Sequence, residues 1–469
     1  MKRIVPQGKQ VEVLAIPPKG HTVVLGTAGS GKTTIALLRA ENLANLPGKQ
    51  EVLLVTFNRA LVEYMRKISN AKTSKLTVEN YHKFARGYLD GRGKMKGYGI
   101  ILDSEKKQYY IEQAVECCRE ENPEESTLNR PVDFFVEEIT FIEGFGYRRF
   151  EEYYNAARIG RASANIKREN RKWVYIVYDK YLELREENGY KYDWEDLASY
   201  AYEELQEDER PRRYSHIIVD EGQDFSPMMI RSLVQAVAPG GSFTFLGDVA
   251  QQIYGSRISW RDSGIKADKI WTLETNYRNP ASIVNFARDI TESEYWKQSE
   301  DMVNASFQIA EGPRPVLIEF PKRSMEIKWI VKRAVSLSQT SSVIIICRRR
   351  STIDVLQQEL RKGGCRPTEI DHDTPGFAEK KTVYLSTFHA AKGLEFDNVM
   401  IPFLSEKRFP DRESREECLD EMEMYADELK LLYVAATRCK YGLYMTYSCD
   451  VSSLFPVDSE HYDFFAQEE

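Results

Sequence analysis

The sequence predicts an α/β protein: two P-loop-type units, each a parallel sheet flanked by helices, with a mainly helical insertion in the first. Three observations carry this. Short apolar runs alternate with helical patterns at both ends of the chain. A glycine-rich turn ending in Gly31-Lys32-Thr33 sits between the first apolar run and the first long helix. Between the alternating stretches lies a charged, aromatic segment with helical spacing.

Thr22-Val23-Val24-Leu25 reads as a strand, followed by the turn and by a helix opening on Lys32, Thr33 and Thr34. Glu51-Val52-Leu53-Leu54-Val55 is the next strand, with a helix through Leu61 and Met65. Such a β-α-β-α rhythm makes a parallel sheet covered on both faces. The rhythm stops near Asp90. Up to about Arg213 the pattern is helical, clearest in Trp173, Val177, Tyr181 and Leu184 at steps of three and four. Strands resume at His216–Val219 and Ser242–Leu246. A second rhythm after Pro280 has strands at Val316–Phe320, Ser342–Cys347, Thr382–Leu385, Asn398–Ile401 and Gly442–Thr446. The expected division is 1–89 with 214–280, then the insertion 90–213, then 281–469. The acidic run from Asp411 to Glu428 is expected to be a solvated loop and helix.

Composition narrows the class. The 469 residues are 42% hydrophobic and 29% charged, values of a globular protein able to bury a sizeable core. The longest apolar runs are strand-sized, and no signal-like stretch follows the N-terminal MKRIVPQGKQ, so a cytoplasmic location is expected. Seven cysteines without C-x-x-C spacing are expected to be reduced, mostly buried thiols. A net charge of −7 excludes a polycation, so any nucleic-acid site must be a local stripe.

Gly26-Thr27-Ala28-Gly29-Ser30-Gly31-Lys32-Thr33 fits G-x-x-x-x-G-K-[ST]. Its glycines let backbone N–H groups curl around phosphates, and the following helix adds its positive N-terminal end. The chemistry calls for ATP: Lys32 reaches the outer phosphates and Thr33 offers a hydroxyl to Mg²⁺. Asp220 and Glu221 supply the carboxylates at the end of a nearby strand. Asp220 suits the metal and Glu221 suits the attacking water. An acidic pair after a strand is by itself only a commonplace helix start; beside a P-loop it acquires a role. Two arginines, Arg278 and Arg438, sit in settings suited to a late contact with the γ-phosphate.

The ordered set of motifs resembles the UvrD/Rep-like branch of superfamily 1 DNA helicases, from about Gln10 to about Lys440. The motifs are the P-loop, Val55-Thr56-Phe57-Asn58, Tyr81-His82-Lys83-Phe84, Asp220-Glu221-Gly222-Gln223-Asp224 and Gly247-Asp248-Val249-Ala250-Gln251-Gln252-Ile253-Tyr254. They continue with Leu273-Glu274-Thr275-Asn276-Tyr277-Arg278, Thr387-Phe388-His389-Ala390-Ala391-Lys392-Gly393-Leu394-Glu395-Phe396 and Leu432-Tyr433-Val434-Ala435-Ala436-Thr437-Arg438. The resemblance implies two RecA-like motor domains. It implies that Gln10 reads adenine, Tyr277 stacks on it and Glu395 meets the ribose. Gln251 would sense the γ-phosphate from one side with Lys32 and Arg278, and Arg438 would close from the other. On the DNA side it implies Phe57, His82, His389 and Arg348. A stacking aromatic expected after Ile253-Tyr254 is replaced by Ser256, and Trp260 is the substitute. The large extra domain that unwinding relatives carry between Arg278 and Thr387 is expected to be missing or vestigial.

A basic stripe in the insertion comprises Arg148, Arg149, Arg158, Arg161, Lys167, Arg168, Arg171 and Lys172. Phe150, Tyr153, Tyr154 and Trp173 are interleaved with it, which suits phosphate contacts and base stacking. Glu151, Glu152 and Glu169 offset it, as on an ordinary solvated helix. Asp193-Trp194-Glu195-Asp196-Leu197 reads as structural. Together these readings imply an ATP-dependent 3′-to-5′ DNA translocase or helicase acting on single-stranded or tailed duplex DNA. The alternatives are a DNA-stimulated ATPase serving a partner nuclease in repair or defence against foreign DNA, and a nucleotide-gated DNA-binding scaffold.

Overall fold

The computed structural model describes residues 5–57, 59–69, 74–156, 166–248, 250, 263–296, 306–307, 311–370, 381–411 and 421–467. The first sheet holds β1 (Gly20–Gly26), β2 (Val52–Thr56), β3 (Leu76–Asn80), β6 (Tyr214–Val219), β7 (Val237–Gly247) and β8 (Ile270–Leu273). Its order is β3-β2-β6-β7-β1-β8, and every neighbouring pair is parallel. Residues of β1, β2, β6 and β7 are buried on both faces, so these strands read as continuous apolar runs. Helices α1 (Lys9–Leu14), α2 (Lys32–Ala44), α3 (Arg59–Ile68), α4 (Tyr81–Gly91) and α10 (Pro227–Gln235) pack around it.

Between β3 and β6 the chain forms the helical insertion: α5 (Ser104–Glu121), α6 (Val132–Phe145), α7 (Phe150–Asn155), α8 (Arg171–Glu187) and α9 (Leu197–Glu207). A small parallel pair, β4 (Gly99–Ile101) with β5 (Tyr190–Asp193), accompanies them. Val177 and Tyr181 are fully buried on α8, as the helical spacing predicted, in a core shared with α5 and α6. The short pair β9 (Thr275–Asn276) and β10 (Ser306–Phe307) follows the first sheet.

The second sheet is seven-stranded and parallel. It holds β11 (Val316–Phe320), β12 (Val343–Cys347), β13 (Thr368–Ile370), β14 (Val383–Thr387), β15 (Phe396–Ile401), β16 (Cys439–Ser448) and β17 (Asp463–Ala466) in the order β13-β14-β12-β15-β16-β11-β17. Helices α11 (Ala281–Thr291), α12 (Arg323–Ser338), α13 (Arg350–Lys362) and α14 (Glu421–Ala436) cover its faces. Every strand expected from the sequence overlaps an observed strand. In the two main sheets β3, β8, β13 and β17 were not anticipated, because short edge strands carry little apolar signal. No helix among the described residues is long and apolar enough to cross a membrane. The acidic run needs correction: Asp411 and Glu428 are buried and paired with arginines rather than solvated. Of the six described cysteines, all free, Cys118, Cys347 and Cys439 are buried and Cys449 is exposed.

Candidate nucleotide cleft and strand-facing surface

The P-loop links β1 to α2 as the motif requires. Gly31 caps α2 in the left-handed region (φ 81°, ψ 23°), where glycine costs least. Lys32 is nearly buried and folds back onto the loop, donating to the carbonyls of Gly26 (3.0 Å) and Thr27 (2.7 Å) and pairing with Asp248 at 3.3 Å. Its ammonium is therefore held by the loop that a phosphate would have to replace. Ser30 Oγ braces the turn by donating to Thr27 O at 2.8 Å. Gln10 is buried against the loop: its amide donates to Ser30 O at 2.9 Å, and its oxygen accepts from Gln7 N at 3.1 Å. The glutamine expected to read adenine is thus delivered by α1 to the rim of the P-loop.

Asp220 and Glu221 end β6 opposite Lys32. Neither Asp220 oxygen meets a hydrogen-bond partner among the described residues, although the residue is fully buried. Burial, with Glu221 beside it, pushes the Asp220 carboxyl up to about 7, while the Thr33 hydroxyl and Lys32 pull it down. An orphaned buried carboxylate next to a threonine hydroxyl is an oxygen-donor pair that fits a hard divalent cation. Glu221 sits at φ 53°, ψ 42°, a left-handed conformation uncommon for a residue with a side chain. Burial pushes its carboxyl up, but Lys32, Lys392, Gln223 and Arg438 together hold it below its ordinary value. It is thus held as an anion, the charge state a general base requires.

Two further residues, to which the motifs alone assigned no role, complete this centre. Gln223 donates to Glu221 Oε2 (2.6 Å) and accepts from the Asp248 amide (2.8 Å), tying the two acidic motifs together. Lys392, after β14 of the second sheet, pairs with Asp224 in the first. Both lie inside motifs already quoted, so their positions were legible; their cross-cleft contacts depend on the fold.

Arg438 approaches from the second sheet, at the end of α14. It is 2% exposed, donates to Val434 O at 3.0 Å and to Thr437 Oγ1 at 3.2 Å, and burial lowers its pKa to about 10. The Arg278 and Glu221 charges act on it from across the cleft. Arg278 pairs with Glu395 here, so the expected phosphate and ribose contacts neutralise one another. Tyr277 donates its amide to Gly29 O at 2.9 Å, which places its motif directly on the P-loop. Asn276 Oδ1 accepts from the amides of Arg278 and Asn279, and its side-chain amide donates to Asn279 Oδ1. Asn279 in turn donates to the carbonyls of Thr437 (3.1 Å) and Cys439 (2.5 Å). Asn279 was not singled out from the sequence.

The strand-facing candidates divide. Phe57 is half-buried. His82 is only 4% exposed and stacks on the half-buried Trp194, with ring centroids 3.7 Å apart. Burial lowers the His82 imidazole to about 3, so it is neutral. A direct strand contact by His82 needs correction: Trp194, read from the sequence as structural, covers it. His389 is half-buried beyond β14. Arg348 also needs correction. Its guanidinium is clamped on Glu428 by three contacts of 2.7–3.0 Å, and Arg349 holds Asp411. Arg350, paired with Glu369 at 3.0 Å, is 69% exposed in its side chain.

Part of the basic stripe is engaged within the insertion, while Lys167, Arg168 and Lys172 are exposed. Arg148 pairs with Glu203 at 2.8 Å and lies over Tyr200, Arg149 pairs with Glu152 at 2.8 Å, and Arg171 donates to three carbonyls of 153–156. Gln251, Trp260, Arg158 and Arg161 lie outside the described residues. The acidic cluster Glu143, Asp193 and Glu195 is filled by Lys107, which pairs with all three at 2.6–3.1 Å.

A P-loop, an Asp-Glu pair with its aspartate buried at the end of a nearby strand, and a second parallel sheet across the cleft define a P-loop ATPase built on two sheets. Residues 7–267 match the family described as UvrD/REP helicase N-terminal domain, and residues 271–374 and 368–450 match the UvrD-like helicase C-terminal domain. The chain belongs to the UvrD-like helicase family, a class of superfamily 1 ATP-dependent helicase enzymes. It is 25% identical over 457 residues to a protein of Mycoplasma pneumoniae named probable DNA helicase, covering 91% of this chain and 80% of that protein. It is 27% identical over 292 residues to a Bacillus subtilis protein named putative ATP-dependent DNA helicase YjcD, covering 57% of this chain and 36% of that protein. A shorter match, 29% over 157 residues, is to the exonuclease/helicase subunit RexA of Lactococcus lactis subsp. cremoris, covering 30% of this chain and 12% of that protein.

Proposed function

We propose that this chain is an ATP-driven motor that moves 3′ to 5′ on single-stranded DNA, closing its two-sheet cleft on ATP and opening it after hydrolysis. The observation that carries the reading is convergence. Glu221 is acted on by Lys32 from the first sheet and by Lys392 and Arg438 from the second. Groups from both sides therefore serve one reaction centre.

Lys32 leaves the Gly26 and Thr27 carbonyls for the outer phosphates. Gln10 holds the adenine, Tyr277 stacks on it, and Arg278 exchanges Glu395 for the γ-phosphate. Thr33 and Asp220 would hold magnesium, which when bound offsets phosphate charge. Glu221 orients a water and takes its proton, and Arg438 stabilises charge on the transferred phosphoryl group. On the strand side, Phe57, Trp194, His389 and Arg350 stack on bases or meet phosphates, and Trp260 is proposed to join them, while Gln251 is proposed to sense the γ-phosphate. The test is ATPase activity with and without oligothymidylate, followed by displacement of a strand carrying a 3′ or a 5′ tail. An ATPase indifferent to oligothymidylate overturns the reading, and displacement only from the 5′ tail overturns the polarity.

The local match to RexA, named as an exonuclease/helicase subunit, favours a second reading in which the motor serves a partner nuclease. Between Arg278 and Thr387 the described residues hold only the elements of the second sheet and its helices, with the β10 pairing. A compact motor of this kind suits partner dependence. Co-purification with a nuclease whose DNA degradation requires ATP is the expected result.

A further inference from the structure

Four rings run from the strand-facing surface to the catalytic turn. Trp194 stacks on His82 with planes 15° apart. His82 meets Phe57 edge-on at 5.7 Å, and Phe57 meets Phe225 edge-on at 6.1 Å. Tyr81 braces the row, edge-on to both His82 and Phe225. Phe225 is 1% exposed and immediately follows Asp224.

Both ends of the row are anchored. The Trp194 loop is pinned by buried ions. Asp193 Oδ1 accepts from the amides of Glu195 and Asp196, both at 2.9 Å, while Arg185 pairs with Asp193 (3.1 Å) and Asp196. At the inner end, the turn 221–224 lies between the Phe225 backbone and the Phe245 ring. Phe225 closes it by donating its amide to Gly222 O at 3.2 Å. On the other side Gly222 lies so close to Phe245 that an added Cβ would fall 2.3 Å from that ring. This turn holds Glu221 in its left-handed conformation. Such strain costs about 1–3 kcal/mol and persists only where the surroundings enforce it. Close-packed rings transmit displacement rather than absorb it.

We propose that Phe225 is a positioning residue, carrying strand binding at the Trp194–His82–Phe57 ring row to the turn that aims the Glu221 carboxylate. The inference rests on the strand-stimulated ATPase reading above. A strand base pressing on Trp194 moves the row as a unit. Phe225 then shifts the Asp224 and Phe225 amides, and with them the backbone of Glu221. The route is distinct from the Gln223–Asp248 link, which approaches the same carboxylate from the β7 side.

The test compares the unaltered chain with Phe225→Leu, which keeps an apolar side chain but removes the ring edge. Three quantities are read: oligothymidylate affinity by fluorescence anisotropy, KM for ATP, and kcat with and without oligothymidylate. The expected result is unchanged affinity and KM with a ratio of stimulated to unstimulated kcat reduced about tenfold. Full stimulation in the variant overturns the proposal, as does a loss of stimulation that only parallels lost strand affinity. If oligothymidylate fails to stimulate the unaltered chain, the motor reading falls and the proposal with it. Should Phe225→Leu fail to fold, amide hydrogen exchange on the unaltered chain decides. Oligothymidylate without nucleotide is expected to change protection at Asp224 and Phe225, and unchanged exchange there overturns the proposal.

Discussion

Lys392 reaches across the cleft from the second sheet to pair with Asp224 in the first, three residues past Glu221. Both side chains are under one-tenth exposed, and burial pushes Asp224 up to about 6 despite the lysine. The two sheets are thus joined by charges inside the Asp220–Asp224 motif itself.

Removing one member of such a pair leaves the other buried and uncompensated. Lys392→Met is expected to destabilise the chain by about 3–5 kcal/mol in urea unfolding. The double variant Lys392→Met with Asp224→Asn should recover most of that loss. Additive losses would show that the pair contributes nothing as a pair.

Glu221→Gln keeps the shape of the side chain and removes the proton acceptor. The strand-stimulated kcat should fall by about 10²–10⁴-fold, with oligothymidylate affinity retained. A rate near that of the unaltered chain would assign the base elsewhere.

Arg348 and Arg350 are two residues apart and should behave oppositely. Arg350→Ala is expected to weaken oligothymidylate binding and reduce its salt dependence by about one phosphate contact. Arg348→Ala should instead lower the melting temperature, because Glu428 is fully buried and loses its clamp. The reverse pattern would restore Arg348 to the strand-facing set.

Trp194→Ala removes a half-buried ring and uncovers His82. Strand affinity should drop by about 1–3 kcal/mol, the usual worth of one stacked base. Trp194→Phe should retain most of it.

His82 gives a pH signature. Above about 6.5 the imidazole is neutral in folded and unfolded chains alike and burial costs nothing extra. Below that, the unfolded chain takes up a proton that the folded chain, with His82 lowered to about 3, refuses. Stability should therefore fall with decreasing pH by up to about 1.4 kcal/mol per unit, relative to His82→Phe. Parallel curves for the two proteins from pH 7 to 5 would show that His82 is not buried neutral.

The nucleotide half of the site was readable because its chemistry is local. A strand, eight consecutive residues and a helix make a phosphate cradle, and Asp220-Glu221 follow their strand directly. The apolar strands were legible for the same reason: both faces are covered, so the signal is continuous. The strand-facing half was less legible, because its side-chain environment depends on who pairs with whom across the fold. Nothing near Arg348 announces that Glu428, eighty residues on, will capture it. Likewise, the acid-flanked Trp194 reads as structural until His82 is seen beneath it. The internal pairing of Arg148 was not legible because its partner, Glu203, lies outside the segment that suggested the basic stripe.

Asn279 binds two carbonyls of the second half while its neighbours lean on Gly29 of the P-loop, so the halves are riveted within a few ångströms of the phosphate cradle. A lever with its fulcrum beside the point of effort has a short input arm and long output arms. In the proposed motor, such a hinge would turn a small opening at the cradle into a larger displacement at the rims of both sheets.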